Sequence, residues 1–209
     1  MFIQKNNFII RLRKEDEGFF DNINFVEVYK FVEQFYQFEK KMMIKLNVIS
    51  SVEEYTFFTN NQFKEWVCAC AGPHNSITIF SPSVIAQLTI HHPSRYPYLL
   101  VHELSHLFYG NARFRKIALF DEGIASYLAK KYSKEEVTLP EKIPTIPTSL
   151  IFPDQKSYYV IGPYLIKKII ETYGKQKLFS FLKIQNDTTP IYKAFEQHFG
   201  KTINAFLKE

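Results

Sequence analysis

The sequence predicts an α+β fold: one domain over residues 1–209, with a mixed α/β N-terminal lobe at about 1–110, a helical C-terminal lobe at about 111–209 and a cleft between the two. Three observations predict it. Strand-like apolar segments separated by turn residues are confined to the first 81 positions. Helical periodicity takes over after His92. The composition, 46% hydrophobic and 17% aromatic with 21 Phe and 13 Tyr, is that of a chain that buries a core.

Residues 8–12 are apolar with weak alternation and read as a strand, which the charged run KEDEG ends. From 25 to 46 the apolar positions Val28, Phe31, Val32, Phe35, Phe38, Met42 and Ile44 recur mostly at three- and four-residue steps. That spacing predicts one amphipathic helix of five or six turns. Residues 47–52 read as a strand and 53–59 as a short helix, while 66–71 and 76–81 read as two strands joined by the turn GPHN.

In the second half, 98–109, 119–132, 158–173, 176–184 and 191–207 carry helical periodicity between Gly, Pro or polar breaks. Pro140, Pro144, Pro147 and Pro153 mark a loop, and long loops in compact domains often cover or line a site.

Disorder, collagen-like repeats and low-complexity sequence are excluded by composition. Lys and Arg number 26 against 21 acidic residues, a net +5, but the positive charge is scattered and forms no basic block, so no nucleic-acid partner is expected. No apolar run is long enough to span a bilayer, so no membrane partner is expected either. The start MFIQKNNFIIRLRKEDEGFF lacks the pattern of a secretory signal, and the expected compartment is the cytoplasm. Cys68 and Cys70, one residue apart, would close almost no loop as a disulfide. Together with His74 they lack a fourth ligand for a metal and read as ordinary strand thiols. His91 and His92 read as a polar loop ahead of a helix.

The decisive segment is His102-Glu103-Leu104-Ser105-His106, inside the apolar helix YLLVHELSHLFYG, with Gly110 placed to cap its end. Four residues turn a helix through about 400°, so both imidazoles project from one face, one turn apart, where they can share one zinc ion. Glu103 stands where a general base beside an activated water would stand. Downstream, LFDEGIASYLAKKY predicts a second amphipathic helix with Glu122 near its start. An antiparallel return would bring that carboxylate to the histidines as the third ligand of a catalytic site, the structural alternative being a carboxylate on the helix dipole.

HELSH followed by DEGIASY resembles the gluzincin zinc metallopeptidases, in particular the small peptidase-MA-like group. The resemblance continues through a strand, Trp66, Gly72, an edge strand, the HExxH helix, the EGxA helix, a Tyr-rich helix closing on Tyr173-Gly174 and a final helix with Phe199-Gly200, from about residue 45 onward. It implies a gluzincin-like catalytic domain with one Zn2+ per chain, held by His102, His106 and Glu122 in the cleft. Glu103 is then the general base for hydrolysis of a peptide or protein substrate, most simply as an endopeptidase. A second oxyanion donor falls to Tyr158, Tyr159 or Tyr164, with Tyr159 favoured, and the alternative for each is a core or rim aromatic. The resemblance also makes Ser76, Ile77, Thr78 and Ile79 the edge strand that binds extended substrate by main-chain pairing, the alternative being an interior strand.

Two departures stand out. Ser126 occupies the position where relatives often carry an acid that orients a zinc-bound imidazole, leaving that support to Ser126 itself or to Asp121. No acidic exopeptidase motif accompanies Gly72-Pro73-His74-Asn75, which disfavours an aminopeptidase. Two rival functions remain: a noncatalytic or partner-activated zinc-bearing binding protein, and a zinc hydrolase of another amide or ester. The oligomeric state is not encoded in these patterns.

Overall fold

Five short strands and ten helices account for the regular structure of the computed structural model, which describes residues 1–141, 143, 145–152, 154, 156–183 and 189–209. The fold is α+β, with one mixed sheet. The chain divides into two compact units, Met1–Phe108 and Tyr109–Glu209.

The first unit is built on the sheet. Strand β1 (Phe2–Lys5) pairs antiparallel with β2 (Phe8–Arg11) through a turn in which Asn6 takes a left-handed conformation. Strand β2 runs parallel to β3 (Ile44–Ile49), β3 runs parallel to β5 (Ser76–Phe80), and β5 pairs antiparallel with β4 (Ala69–Gly72). The order is therefore β1-β2-β3-β5-β4, with β4 at one edge and β5 inside.

Between β2 and β3 come a 3-10 turn (Lys14–Asp16), α1 (Glu17–Asp21) and α2 (Phe25–Tyr36). Phe25, Val28, Tyr29, Val32 and Tyr36 form the buried stripe of α2. Phe8 of β2 packs on Phe25 and Tyr29 with ring centroids 4.8 and 6.4 Å away, and the Tyr29 hydroxyl accepts a hydrogen bond from the backbone N–H of Met42. Beyond β3 lie α3 (Val52–Thr59), opened by Ser51 accepting from the N–H of Glu54, then α4 (Ile85–Leu88), a 3-10 turn (Pro93–Arg95) and α5 (Tyr96–Asn111).

The second unit is helical: α6 (Ala118–Tyr132), α7 (Lys156–Tyr173), α8 (Lys175–Leu182), α9 (Ile191–Phe199) and α10 (Ile203–Lys208). Helices α6 and α7 touch at Gly123 and Gly162. A Cβ added at Gly162 would stand 2.7 Å from the Gly123 Cα, and one added at Gly123 would stand 2.9 Å from the Gly162 carbonyl oxygen. Phe120, Phe181, Phe195 and Phe199 cluster beside them, with centroids of successive pairs 5.2, 5.6 and 4.4 Å apart. The described part of the proline loop has no helix or strand, and Asn204 of α10 holds it by accepting from the N–H of Ile146 at 2.8 Å and donating to its carbonyl at 2.9 Å. Pro144, Pro153 and the predicted helix end Ile184 lie outside the described residues.

Four sequence expectations about these elements need correction. The single helix over 25–46 ends at Tyr36, where Gln37 turns left-handed (φ 51°) and its N–H closes on the Glu33 carbonyl. Ile44, Leu46 and Val48 then alternate into the core as a strand, so the strand expected at 47–52 lies three residues earlier. The helix over 191–207 is two helices: Gly200 (φ 79°) ends the first, and Thr202 caps the second by accepting from the N–H of Ala205. Helix α5 runs through Gly110, and the left-handed turn that ends it belongs to Arg113 (φ 55°), after which the Phe114 N–H bonds back to the Tyr109 carbonyl. Among the described residues no helix is long and apolar enough to cross a membrane.

Candidate metal centre

Helix α5 carries Pro97 in its first turn, where a missing N–H does no harm, and continues through the helix formers of LLVHELSHLF. It lies deep in the protein. From Tyr98 to Tyr109 only Tyr98 and His106 are more than marginally open, while His102 and Glu103 are each 8% exposed. Ser105, fully buried between the two histidines in sequence, shares a 2.8 Å hydrogen bond with the Tyr36 hydroxyl at the end of α2. Tyr36 also stacks on Phe108 and Tyr29 meets the same ring edge-on, so the helix is fixed in rotation by aromatic contacts.

The turn spacing brings the two Nε2 atoms of His102 and His106 to 3.2 Å. Zinc–nitrogen bonds of about 2.0–2.1 Å in a tetrahedron give a ligand–ligand edge of about 3.3–3.4 Å, so the imidazole pair already has chelating geometry. The ligand atoms of His102, His106 and Glu122 all lie within 4.8 Å of one another. Two imidazole nitrogens and one carboxylate oxygen suit a borderline-soft divalent ion, and three protein donors leave a fourth position for water or substrate. This group can hold a metal ion. Among the described residues no other trio of His, Cys, Asp or Glu converges, so Cys68, Cys70 and His74 gather no such site.

Glu103 lies within electrostatic reach of Tyr55 and Cys68. Tyr55 is 2% exposed, and burial first, then the charges of Cys70, Glu103 and Cys68, push its hydroxyl up to about 12. Burial likewise pushes the Cys68 thiol up, Glu103 adds to the effect and Arg95 opposes it. The Cys68 thiol is therefore no ready thiolate ligand there.

The remaining predicted residues divide by role. Tyr158 is buried, and its hydroxyl accepts from the Phe152 N–H at 3.0 Å, which commits it to holding the proline loop. Tyr159 and Tyr164 sit half-buried on α7, Tyr164 with the Lys168 ammonium 5.9 Å from its ring. Asp121 is half-buried near the start of α6 and helps push the Tyr109 hydroxyl up, after burial. Ser126, one turn beyond Glu122, is 1% exposed, and its Oγ has no hydrogen-bond partner among the described residues. His91 donates from Nε2 to the Trp66 carbonyl, and His92 caps its 3-10 turn by accepting from the Ser94 N–H, so both are structural.

The substrate-strand expectation is overturned. Ser76, Ile77, Thr78 and Ile79 belong to β5, whose main chain is paired with β3 on one side and β4 on the other, so no peptide can add to it. Among the described strands, the last on that side of the sheet is β4, Ala69–Gly72. The sequence hid two further contacts, Tyr36 with Ser105 and Gly123 with Gly162, because partners so distant along the chain leave no periodic signal.

Set against known proteins, the chain matches no protein-family model and no curated protein.

Proposed function

We propose that this protein is a zinc-dependent peptidase of the gluzincin kind, in which His102, His106 and Glu122 hold the metal and Glu103 is the general base. The observation that carries the reading is the convergence of those three donors, with the two Nε2 atoms at a tetrahedral edge. Bound zinc supplies Lewis acidity, polarising a carbonyl and bringing the pKa of a bound water to about 7. Glu103 follows His102 directly on α5, about 100° round the helix, which suits it to take a proton from water and return it to the leaving amine. Its near-complete burial keeps bulk water from competing for that proton. Strand β4 is the last strand on that side of the sheet, the position at which an extended peptide adds by main-chain pairing, which supports a peptide substrate read by backbone.

The test is a digest of a diverse peptide library by zinc-loaded protein beside Glu103→Ala, with bound zinc quantified in both. Cleavage by the wild type alone, with zinc retained in the variant, is expected. Equal cleavage by both would remove Glu103 from the reaction. Zinc stoichiometry unchanged in Glu122→Ala would remove that carboxylate from the ligand set.

A further inference from the structure

Residues 145–152 lie between α6 and α7 as a strap with an apolar inner side. Ile146, Leu150 and Phe152 are buried, whereas Thr148, Ser149 and Ile151 are exposed. Among the described residues, two side chains tie its main chain to the rest of the second unit. Asn204 of α10 holds the N–H and carbonyl of Ile146 near one end, and the Tyr158 hydroxyl of α7 accepts from the N–H of Phe152 at the other. Between these anchors the strap bonds to itself, the Leu150 N–H to the Pro147 carbonyl and the Ile151 N–H to the Ser149 hydroxyl. Leu150 takes a φ of 56°, in the left-handed region that a side chain as bulky as leucine rarely enters. Such strain persists only where the surroundings impose it, so the anchors hold the strap against a local tendency to relax.

The second anchor leads toward the candidate metal centre. Tyr158 meets the Phe152 ring edge-on, with centroids 5.2 Å apart, and stands in the first turn of α7. Asp154 fixes that turn by accepting from the N–H and the hydroxyl of Ser157. Gly162 lies four residues beyond Tyr158, one turn further along the same face. It meets Gly123 of α6 so closely that a Cβ on either would stand 2.7–2.9 Å from the backbone of the other. Gly123 directly follows Glu122. Backbone and packed side chains within one unit thus connect Phe152 to a candidate metal ligand.

We infer that the strap is a latch whose closed position sets Glu122 for the ion, so that strap and metal regulate one another. The inference rests on Glu122 being a ligand, as in the proposed function, and not on what the protein cleaves. Asn204 and Tyr158 are its positioning residues. With either anchor released, the strain at Leu150 favours departure of the strap, the first turn of α7 loses its support, and the contact between Gly162 and Gly123 loosens. A metal ligand tolerates a displacement of only about 0.2 Å, so a small shift of α6 weakens binding. By linkage, an ion that prefers the closed form must close the strap by the same factor.

Two measurements on the full chain test it. Chelator competition for zinc compares the wild type with Asn204→Ala and Tyr158→Phe, each of which releases one anchor. The control is Tyr173→Phe, which removes a hydroxyl bond of the same kind, to the Phe199 carbonyl, at the far end of α7. Affinity is expected to fall about threefold or more in the first two variants and to stay unchanged in the third. Hydrogen exchange then compares apo and zinc-saturated wild type. Zinc should slow the Ile146 and Phe152 amides about fivefold or more, while the Gly200 amide, bonded to the Glu196 carbonyl at the end of α9, keeps its rate. Strap amides indifferent to zinc overturn the inference, and this result stands even if the anchor variants do not fold. Faster exchange of Ile146 in Asn204→Ala at unchanged zinc affinity overturns it too, as does an equal loss of affinity in Tyr173→Phe, which marks general loosening. Zinc held as tightly by Glu122→Ala as by the wild type removes the ligand set and the latch with it. A strap indifferent to zinc beside a Glu122→Ala protein that loses zinc removes the latch alone.

Discussion

Replacing Gly162 by Ala tests whether the close approach of α6 and α7 is what carries Glu122 to its place. An Ala side chain there has to sit 2.7 Å from the Gly123 Cα, 3.1 Å from its nitrogen and 3.2 Å from the Leu119 carbonyl oxygen. All three are backbone atoms, which cannot swing aside as the end of a side chain can. Carbon atoms in contact prefer about 3.5–4.0 Å, so the helices must part locally by about 1 Å. Overpacking of a rigid core costs about 1–3 kcal/mol, against a gain of about 1 kcal/mol from Ala over Gly inside a helix. The net is a loss of up to about 2 kcal/mol, read as a lower urea midpoint in apo protein with an unchanged slope. Because Glu122 directly precedes Gly123, the same displacement moves a donor whose distance to the ion tolerates only about 0.2 Å, and zinc affinity should fall about tenfold in a chelator competition. A variant about 1 kcal/mol more stable than the wild type, the ordinary result of Gly→Ala in a helix, with zinc affinity unchanged, would refute the close approach and with it the positioning of Glu122.

Ser105→Ala removes one partner of a fully buried hydrogen bond and should cost about 1–2 kcal/mol in urea unfolding; a cycle with Tyr36→Phe should give a coupling of about 1 kcal/mol, and additive losses would mean that the pair does not interact. Tyr55 has its folded pKa raised from 10.0 to about 12, so its contribution is fully present below pH 10 and is lost as pH rises through 12. Tyr55→Phe should therefore lose about 2–3 kcal/mol less than the wild type between those limits; parallel stability curves from pH 9.5 to 12 would show that burial does not hold that hydroxyl neutral.

What the sequence conveyed well was local. The turn GPHN marks the β4–β5 hairpin because positive φ at His74 and Asn75 is a property of those few residues. HELSH fixes its own geometry, since one helical turn is all the imidazole pair needs. The position of β5 within the sheet was not legible, because a hairpin names one neighbour and is silent on the parallel partner β3, some 30 residues upstream. The stretch after Tyr36 misled for a different reason. Phe38, Met42 and Ile44 continue the helical spacing of α2 by coincidence, and the break is made by Gln37, which carries no helix-breaking side chain. Tertiary packing of Ile44, Leu46 and Val48 outweighs their local pattern.

The burial of α5 bears on the order in which the centre is assembled. A helix walled on nearly every side exposes its amides to exchange only when the surrounding core opens, so its segment belongs among the slowest to trade hydrogen for deuterium. The two imidazoles are thus held at their mutual distance before any ion arrives. On the proposed function, an incoming ion would meet a backbone already in place and lose less of its affinity to ordering the pair.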